Sequence, residues 1–190
     1  MPASSPRTLR LRDVLRRFGA NRKGSAAVQF ALVAPLFFAL LFAIIEVAMV
    51  FFANQILETG TQDAARGIFT HQTQDSTSSL AEAEQKFQAK LCSGVAVLLG
   101  CSGVLFDVRS YPVGASFTVP PLFDAGGNAI TANFTFQLPD PNSSNIVVVR
   151  TFYKWPLLFM NLGFSLANIG ADKRLLTSTS AFRIEPSNAS

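Results

Sequence analysis

The run from Val28 to Phe52 is almost wholly apolar, and it constrains this chain more than any other segment. It is about 25 residues long, and about 20 apolar residues let a helix cross the hydrocarbon core of a bilayer. A helix satisfies its own backbone hydrogen bonds, so such a segment is stable in lipid. Only Gln29, at the inner edge, and Glu46, near the outer end, are strongly polar within it. The chain reads as a membrane protein with one span and a large head outside the bilayer.

Charge orients that span. Residues 1–24 carry Arg7, Arg10, Arg12, Arg16, Arg17, Arg22 and Lys23 against Asp13, a net of +6, so the remainder contributes −2 to the total of +4. Lys and Arg beside a span are retained on the cytoplasmic side. The far flank offers Glu58, Asp63 and Arg66 and no basic cluster. The N-terminus is therefore expected inside and the head outside. The sequence pI of about 9.4 then reports a leader that touches anionic lipid. Nucleic acid is not an expected partner, because no aromatics interleave the arginines and a span follows at once. A cleaved secretory signal fits poorly. Its apolar region runs about 7–15 residues and ends in small residues, whereas this run ends in Phe51-Phe52-Ala53-Asn54-Gln55.

The cysteines agree with an external head. Cys92 and Cys101 both follow the span, and an even count in an oxidising compartment reads as a disulfide. The alternative is two buried free thiols. One histidine, His71, cannot complete a tetrahedral metal site with them. No G-x-S-x-G, H-E-x-x-H or P-loop occurs. The chain is expected to be non-enzymatic, with no cofactor. Asp107, Asp124, Asp140 and Asp172 are scattered, and nothing pairs any two as acid and base. Asn133-Phe-Thr135 and Asn142-Ser-Ser144 match a glycan-acceptor pattern that is common by chance.

The helix should outrun the membrane. Ala53, Ile56, Leu57, Gly60, Ala64, Gly67 and Ile68 form a stripe of helical period. A helix from about Ser25 to Phe69 would measure roughly 65 Å, with a bend at Pro35. The polar stretch from His71 reads as a loop. Ser79 and Glu82 have capping-box spacing before a helix from Leu80 to Leu91 with Leu80, Ala83, Phe87 and Leu91 on one face. Val95 to Leu99 is either helical or a buried turn. Strands are expected at Val104–Tyr111, Asn133–Leu138, Ile146–Tyr153 and Leu175–Ile184, with Phe134, Phe136 and Leu138 sharing a face. Pro, Gly and Asn clusters separate these strands. The fold class is α+β: a long N-terminal transmembrane helix continuing into a head with a second helix and an antiparallel β-sheet. The organisation is a basic cytoplasmic leader (1–24), a transmembrane and stalk helix (25–70) and an external α+β head (71–190), which is large enough for one core. The apolar excursion over 154–172 is either a short helix on the head or an exposed contact surface. Trp155, Leu157, Leu158 and Phe159 within it are the candidate partner surface.

The start of the span is the most specific segment. Arg22-Lys23-Gly24 leads directly into Ser25-Ala-Ala-Val-Gln-Phe30-Ala-Leu-Val-Ala-Pro35. This resembles the TadE family of tight-adherence pilus-assembly proteins, whose span begins with a basic residue and glycine, then Glu-Phe and an Ala-Leu-Val-x-Pro run. Ile146-Val-Val-Val-Arg150 with Tyr153-Lys-Trp-Pro156, and Leu176 to Ala181 followed by Phe182-Arg-Ile-Glu185-Pro186, resemble that family's later blocks. The resemblance implies a pilin-like head on a single-pass protein of a bacterial inner membrane, a pseudopilin that assists assembly or anchoring of Flp-type pili. Its partners would be other pilin-like subunits, pilus assembly platform proteins and a prepilin peptidase. The peptidase would cut between Gly24 and Ser25; an uncut signal anchor is the plainer alternative. Gln29 stands where the family has a glutamate. A neutral amide can hydrogen-bond but cannot offset a neighbouring subunit's buried amino terminus. Glu46 has two readings: snorkelling to the nearby interface, which its position favours, or pairing with a basic residue on another subunit. The rival to the pilus reading is a single-span anchored envelope protein that binds a periplasmic ligand or partner without filament assembly.

Overall fold

The computed structural model describes residues 24–70, 79–116, 118–140, 144–158, 165–170 and 172–184. The chain divides into two compact units, Met1–Phe42 and Ala43–Ser190. Helix α1 runs Ser25–Phe69, as the apolar stripe predicts, and continues through Pro35. Its residues up to Ile45 are exposed or half-exposed, among them Val28, Phe30, Leu32, Leu36, Phe37, Leu40 and Ile44. This bare stretch, Ser25 to Ile45, is about 31 Å long at 1.5 Å per residue. It matches the thickness of a bilayer core.

Within the larger unit, burial on α1 begins at Glu46 and then recurs at Val50, Ala53, Leu57, Gly60, Thr61, Ala64, Ala65 and Ile68. Against this stripe packs α2 (Leu80–Val95), which buries Ala83, Phe87, Leu91 and Val95. The expected capping box is formed. Ser79 Oγ accepts the Glu82 N–H, and the Glu82 carboxylate accepts the Ser79 N–H. Leu80 is exposed, so the buried face starts one turn later than its periodicity suggests. The close approach of the two helices explains two glycines. A Cβ on Gly60 would lie 2.7 Å from Val95 Cγ1, and one on Gly94 would lie 2.9 Å from Gly60 Cα. Beyond α2 the chain turns through a buried Leu99, with both the Leu98 and Leu99 N–H donated to Val95 O.

Three antiparallel strands complete the unit in the order β1 (Val104–Pro112), β2 (Asn145–Pro156), β3 (Lys173–Arg183). Alternation along each strand sorts side chains onto two faces. Val104, Phe106, Val108, Val147, Val149 and Leu176 join the helix core. Thr61 and Thr151 meet on this face with hydroxyls 2.5 Å apart. The Thr61 hydroxyl donates to Leu57 O at 2.6 Å, so Thr151 is the donor between the two.

The sheet departs from the expectation at Asn133–Leu138. Thr131–Asn133 is a 3-10 turn, and Phe136 makes a single parallel bridge to Val108. Val108 N–H donates to Thr135 O and Gln137 N–H to Val108 O, after which the chain leaves the edge. Phe134 and Phe136 consequently do not share a face. Phe136 packs on Phe87 and Phe106, whereas Phe134 stacks edge-on with Phe123 and Phe152 beneath the opposite face. The segment alternates, but it is irregular and crosses the sheet edge.

Candidate functional site

Three places concentrate polar chemistry: the start of α1, the point where burial on α1 begins, and the sheet face away from the helices. At the first, Gly24 directly precedes α1, and nothing lies within 4 Å of a Cβ built on it. Its φ lies outside the left-handed region, so neither packing nor backbone conformation requires glycine there. Ser25 and Gln29 are exposed on the bare part of α1. The leader itself, residues 1–23, lies outside the described residues.

At the second, Glu46 is 5 % exposed. Its Oε1 accepts the Leu158 backbone N–H at 2.6 Å. A carboxylate that the sequence places near the outer end of an apolar run is therefore bonded to the chain segment that follows β2. Leu157 N–H donates to Asp172 O nearby, so this segment closes onto the start of β3. An open groove of about 360 Å³ follows, between Val47, Val50, Phe51 and Asn54 of α1 and Leu166, Arg174 and Leu175. Arg174 Nη1 donates to Leu166 O at 3.0 Å across its end.

The same segment contains the candidate partner surface, and its members separate. Leu157 is buried in the core, and Trp155, at the end of β2, is half-buried against it. Leu158 is 78 % exposed, while Phe159 lies outside the described residues. Of the described members, Leu158 is the one that points out of the core.

The third place was not legible from the sequence. Asp107 on β1 is fully buried and faces away from the helices. Cross-strand register sets Arg150 of β2 opposite it, and Arg109 follows two residues on along the same face. Arg150 Nη2 donates to Asp107 Oδ2 at 2.7 Å, and Arg150 Nε donates to the same oxygen at 3.2 Å. Arg109 Nε bridges both carboxylate oxygens at 3.1 and 3.2 Å. Thr135 N–H donates to Oδ1 at 3.0 Å. The two guanidiniums reach onward to backbone carbonyls, Arg109 to Asn133 O and Arg150 to Pro120 O. One carboxylate thus ties the irregular 120–135 segment to two strands. Asn133, which opens the first of the two chance-prone glycan-acceptor patterns, is half-buried and donates its amide to Pro121 O at 2.7 Å. Both arginines spend their contacts on Asp107 and on carbonyls of the 120–133 stretch, so the cluster is a fastening for the loop.

The remaining candidates have structural partners. Cys92 and Cys101 form a disulfide that joins the end of α2 to the 3-10 turn before β1. Asp124 accepts the Asn128 backbone N–H and side-chain amide, which hold its carboxyl below the usual range. It closes the turn in which Gly127 adopts φ 78°. His71, Asn142, Glu185 and Pro186 lie outside the described residues. Among the described residues no three His, Cys, Asp or Glu side chains gather as a metal site.

The bare, membrane-length start of α1 and the stalk that continues it are also where the chain meets a known family. The family model described as TadE-like protein matches residues 24–66. That segment is TadE-like. The match opens on Gly24 and ends within the stalk half of α1, and α1 is long and apolar enough to cross a membrane. It suggests a role related to the tight-adherence (Flp) pilus system. The later resembling blocks, at β2 and β3, fall outside the matched residues. No curated protein and no solved structure matches the chain.

Proposed function

We propose that this chain is a non-enzymatic, single-span inner-membrane protein that assists the assembly or anchoring of tight-adherence pili. The leader stays in the cytoplasm, residues 25–45 span the bilayer, and the head stands in the periplasm. The TadE-like match across residues 24–66 carries the reading. The exposed apolar helix of bilayer length and the seven cations preceding it support it.

In this reading a prepilin peptidase cuts between Gly24 and Ser25. Among the described residues nothing requires glycine there, and its bare backbone suits access by a protease. The span then presents Gln29 to neighbouring helices. An amide in hydrocarbon is stable when it finds a hydrogen-bonding partner, and a pilin-like subunit's helix supplies one. Glu46 does not look outward to such a subunit. Its carboxylate is engaged by Leu158 of the same chain, so it serves as the joint where the span ends and the head begins.

Intact-mass and N-terminal peptide analysis of the protein purified from its own host tests this reading. Ser25 is expected as the mature N-terminus, reverting to Met1 in a strain that lacks the prepilin peptidase. A full leader in piliated cells would overturn the processing step and favour a plain anchored envelope protein.

A further inference from the structure

Among the described residues, the outer edge of β3 is an open hydrogen-bonding template. The register of β2 and β3 directs the even-numbered residues of β3 toward β2: Ile184 N–H donates to Asn145 O, and Asp172 O accepts from Leu157. Odd-numbered residues therefore aim their N–H and C=O outward. At one end these groups are satisfied. Leu175 N–H donates to Asn168 Oδ1 at 2.6 Å, and Lys173 O accepts from Asn168 and Ile169. Further along, the outward N–H and C=O of Thr177, Thr179 and Ala181 have no partner among the described residues, and all three residues are exposed. Leu175 to Phe182 contains neither charge nor proline. Among the described residues, no charge, proline or covering segment interrupts it.

We propose that this edge receives an extended segment of another protein by strand addition. In-register backbone donors and acceptors select a polypeptide strand over a lipid or a sugar. The two faces of that strand would differ. Side chains toward the helices would enter the groove lined by Val50, Phe51 and Leu176, which asks for apolar residues at alternate positions. Side chains on the far face would lie beside Thr177 and Thr179, which suits polar residues. Charge selects the ends. Lys173 and Arg174 flank the edge on one side, with Asp172 beyond them, and Arg183 flanks it on the other. A segment with Asp or Glu at both ends complements these cations. A second copy of this chain does not, because antiparallel pairing of two β3 edges brings Arg183 of one copy close to Lys173 of the other.

The test uses the full chain in detergent micelles and a synthetic peptide of alternating Thr and Val flanked by aspartates. A lysine-flanked analogue and an analogue N-methylated at alternate positions serve as controls. Amide hydrogen exchange at Thr177, Thr179 and Ala181 is the readout. The aspartate-flanked peptide should slow exchange there at least tenfold, and the two analogues should not. Thr179→Pro removes an outward N–H that the β2–β3 ladder does not use, so it should abolish protection with the far-UV spectrum unchanged. The N-methylated peptide makes the same comparison without altering the protein. Absence of protection, equal protection by both charged peptides, or concentration-dependent protection without peptide would each overturn the proposal; the last would assign the edge to self-association.

Discussion

Removal of the Asp107 carboxylate tests whether the loop-fastening cluster holds the head together. Asp107 is fully buried and accepts from Arg109, Arg150 and the Thr135 backbone. Breaking a buried pair by deleting one partner costs about 3–5 kcal/mol, because the opposite charge is left without compensation. The side chains of Arg109 and Arg150 retain 19 % and 12 % exposure, so both can partly rehydrate. That places Asp107→Ala near the lower end, about 3 kcal/mol. The assay is urea unfolding of the full chain in detergent, followed by the fluorescence of Trp155, the chain's single tryptophan, which packs against the core. A cycle with Asp107→Leu and Arg150→Met sharpens the result. The double variant should be more stable than Asp107→Leu alone, because the less exposed of the two stranded guanidiniums has gone with its partner. A loss below about 1 kcal/mol for Asp107→Ala would refute the reasoning, since a surface ion pair behaves that way.

Other perturbations follow from the packing. Gly60→Ala places a methyl 2.7 Å from Val95 Cγ1 and should destabilise the head by about 1–3 kcal/mol in the same assay. Gly24→Ala meets no atom within 4 Å, so stability should be unchanged while processing at Ser25 is lost, a contrast read by melting and mass spectrometry. Glu46→Ala leaves the Leu158 N–H without its acceptor, which should cost about 1–3 kcal/mol and speed hydrogen exchange at Leu158. Reducing Cys92–Cys101, which are separated by nine residues, should lower stability by roughly 2.5 kcal/mol on the chain-entropy account.

Features set by neighbours along the chain could be read before the fold was seen. The buried stripe of α1 recurs at helical spacing, so Ala53, Leu57, Gly60, Ala64 and Ile68 declare it directly. Ser79 and Glu82 lie within one turn of each other, so their reciprocal cap was also visible. Features made by distant residues were not. Glu46 and Leu158 stand 112 positions apart, and Asp107 and Arg150 stand 43 apart. Their pairing needs the strand register, which alternation alone does not give. Phe134 and Phe136 show the same limit. Alternation predicted a strand with both rings on one side, but one bridge to Val108 and a 3-10 turn let the chain cross the edge. The Leu157–Leu158 step divides similarly: consecutive apolar residues look alike in sequence, yet one fills the core and its neighbour is exposed.

Topology is the claim on which the functional account stands, and impermeant thiol labelling of intact cells tests it most directly. Cys92 and Cys101 are tied in a disulfide and do not compete for the reagent. With a cysteine introduced at Thr179 in one variant and at Ser4 in another, Thr179→Cys should label in intact cells. Ser4→Cys should label only after permeabilisation, provided the leader is retained in a peptidase-deficient strain. Labelling of Ser4→Cys in intact cells, with Thr179→Cys protected until lysis, would put the head in the cytoplasm and contradict the account.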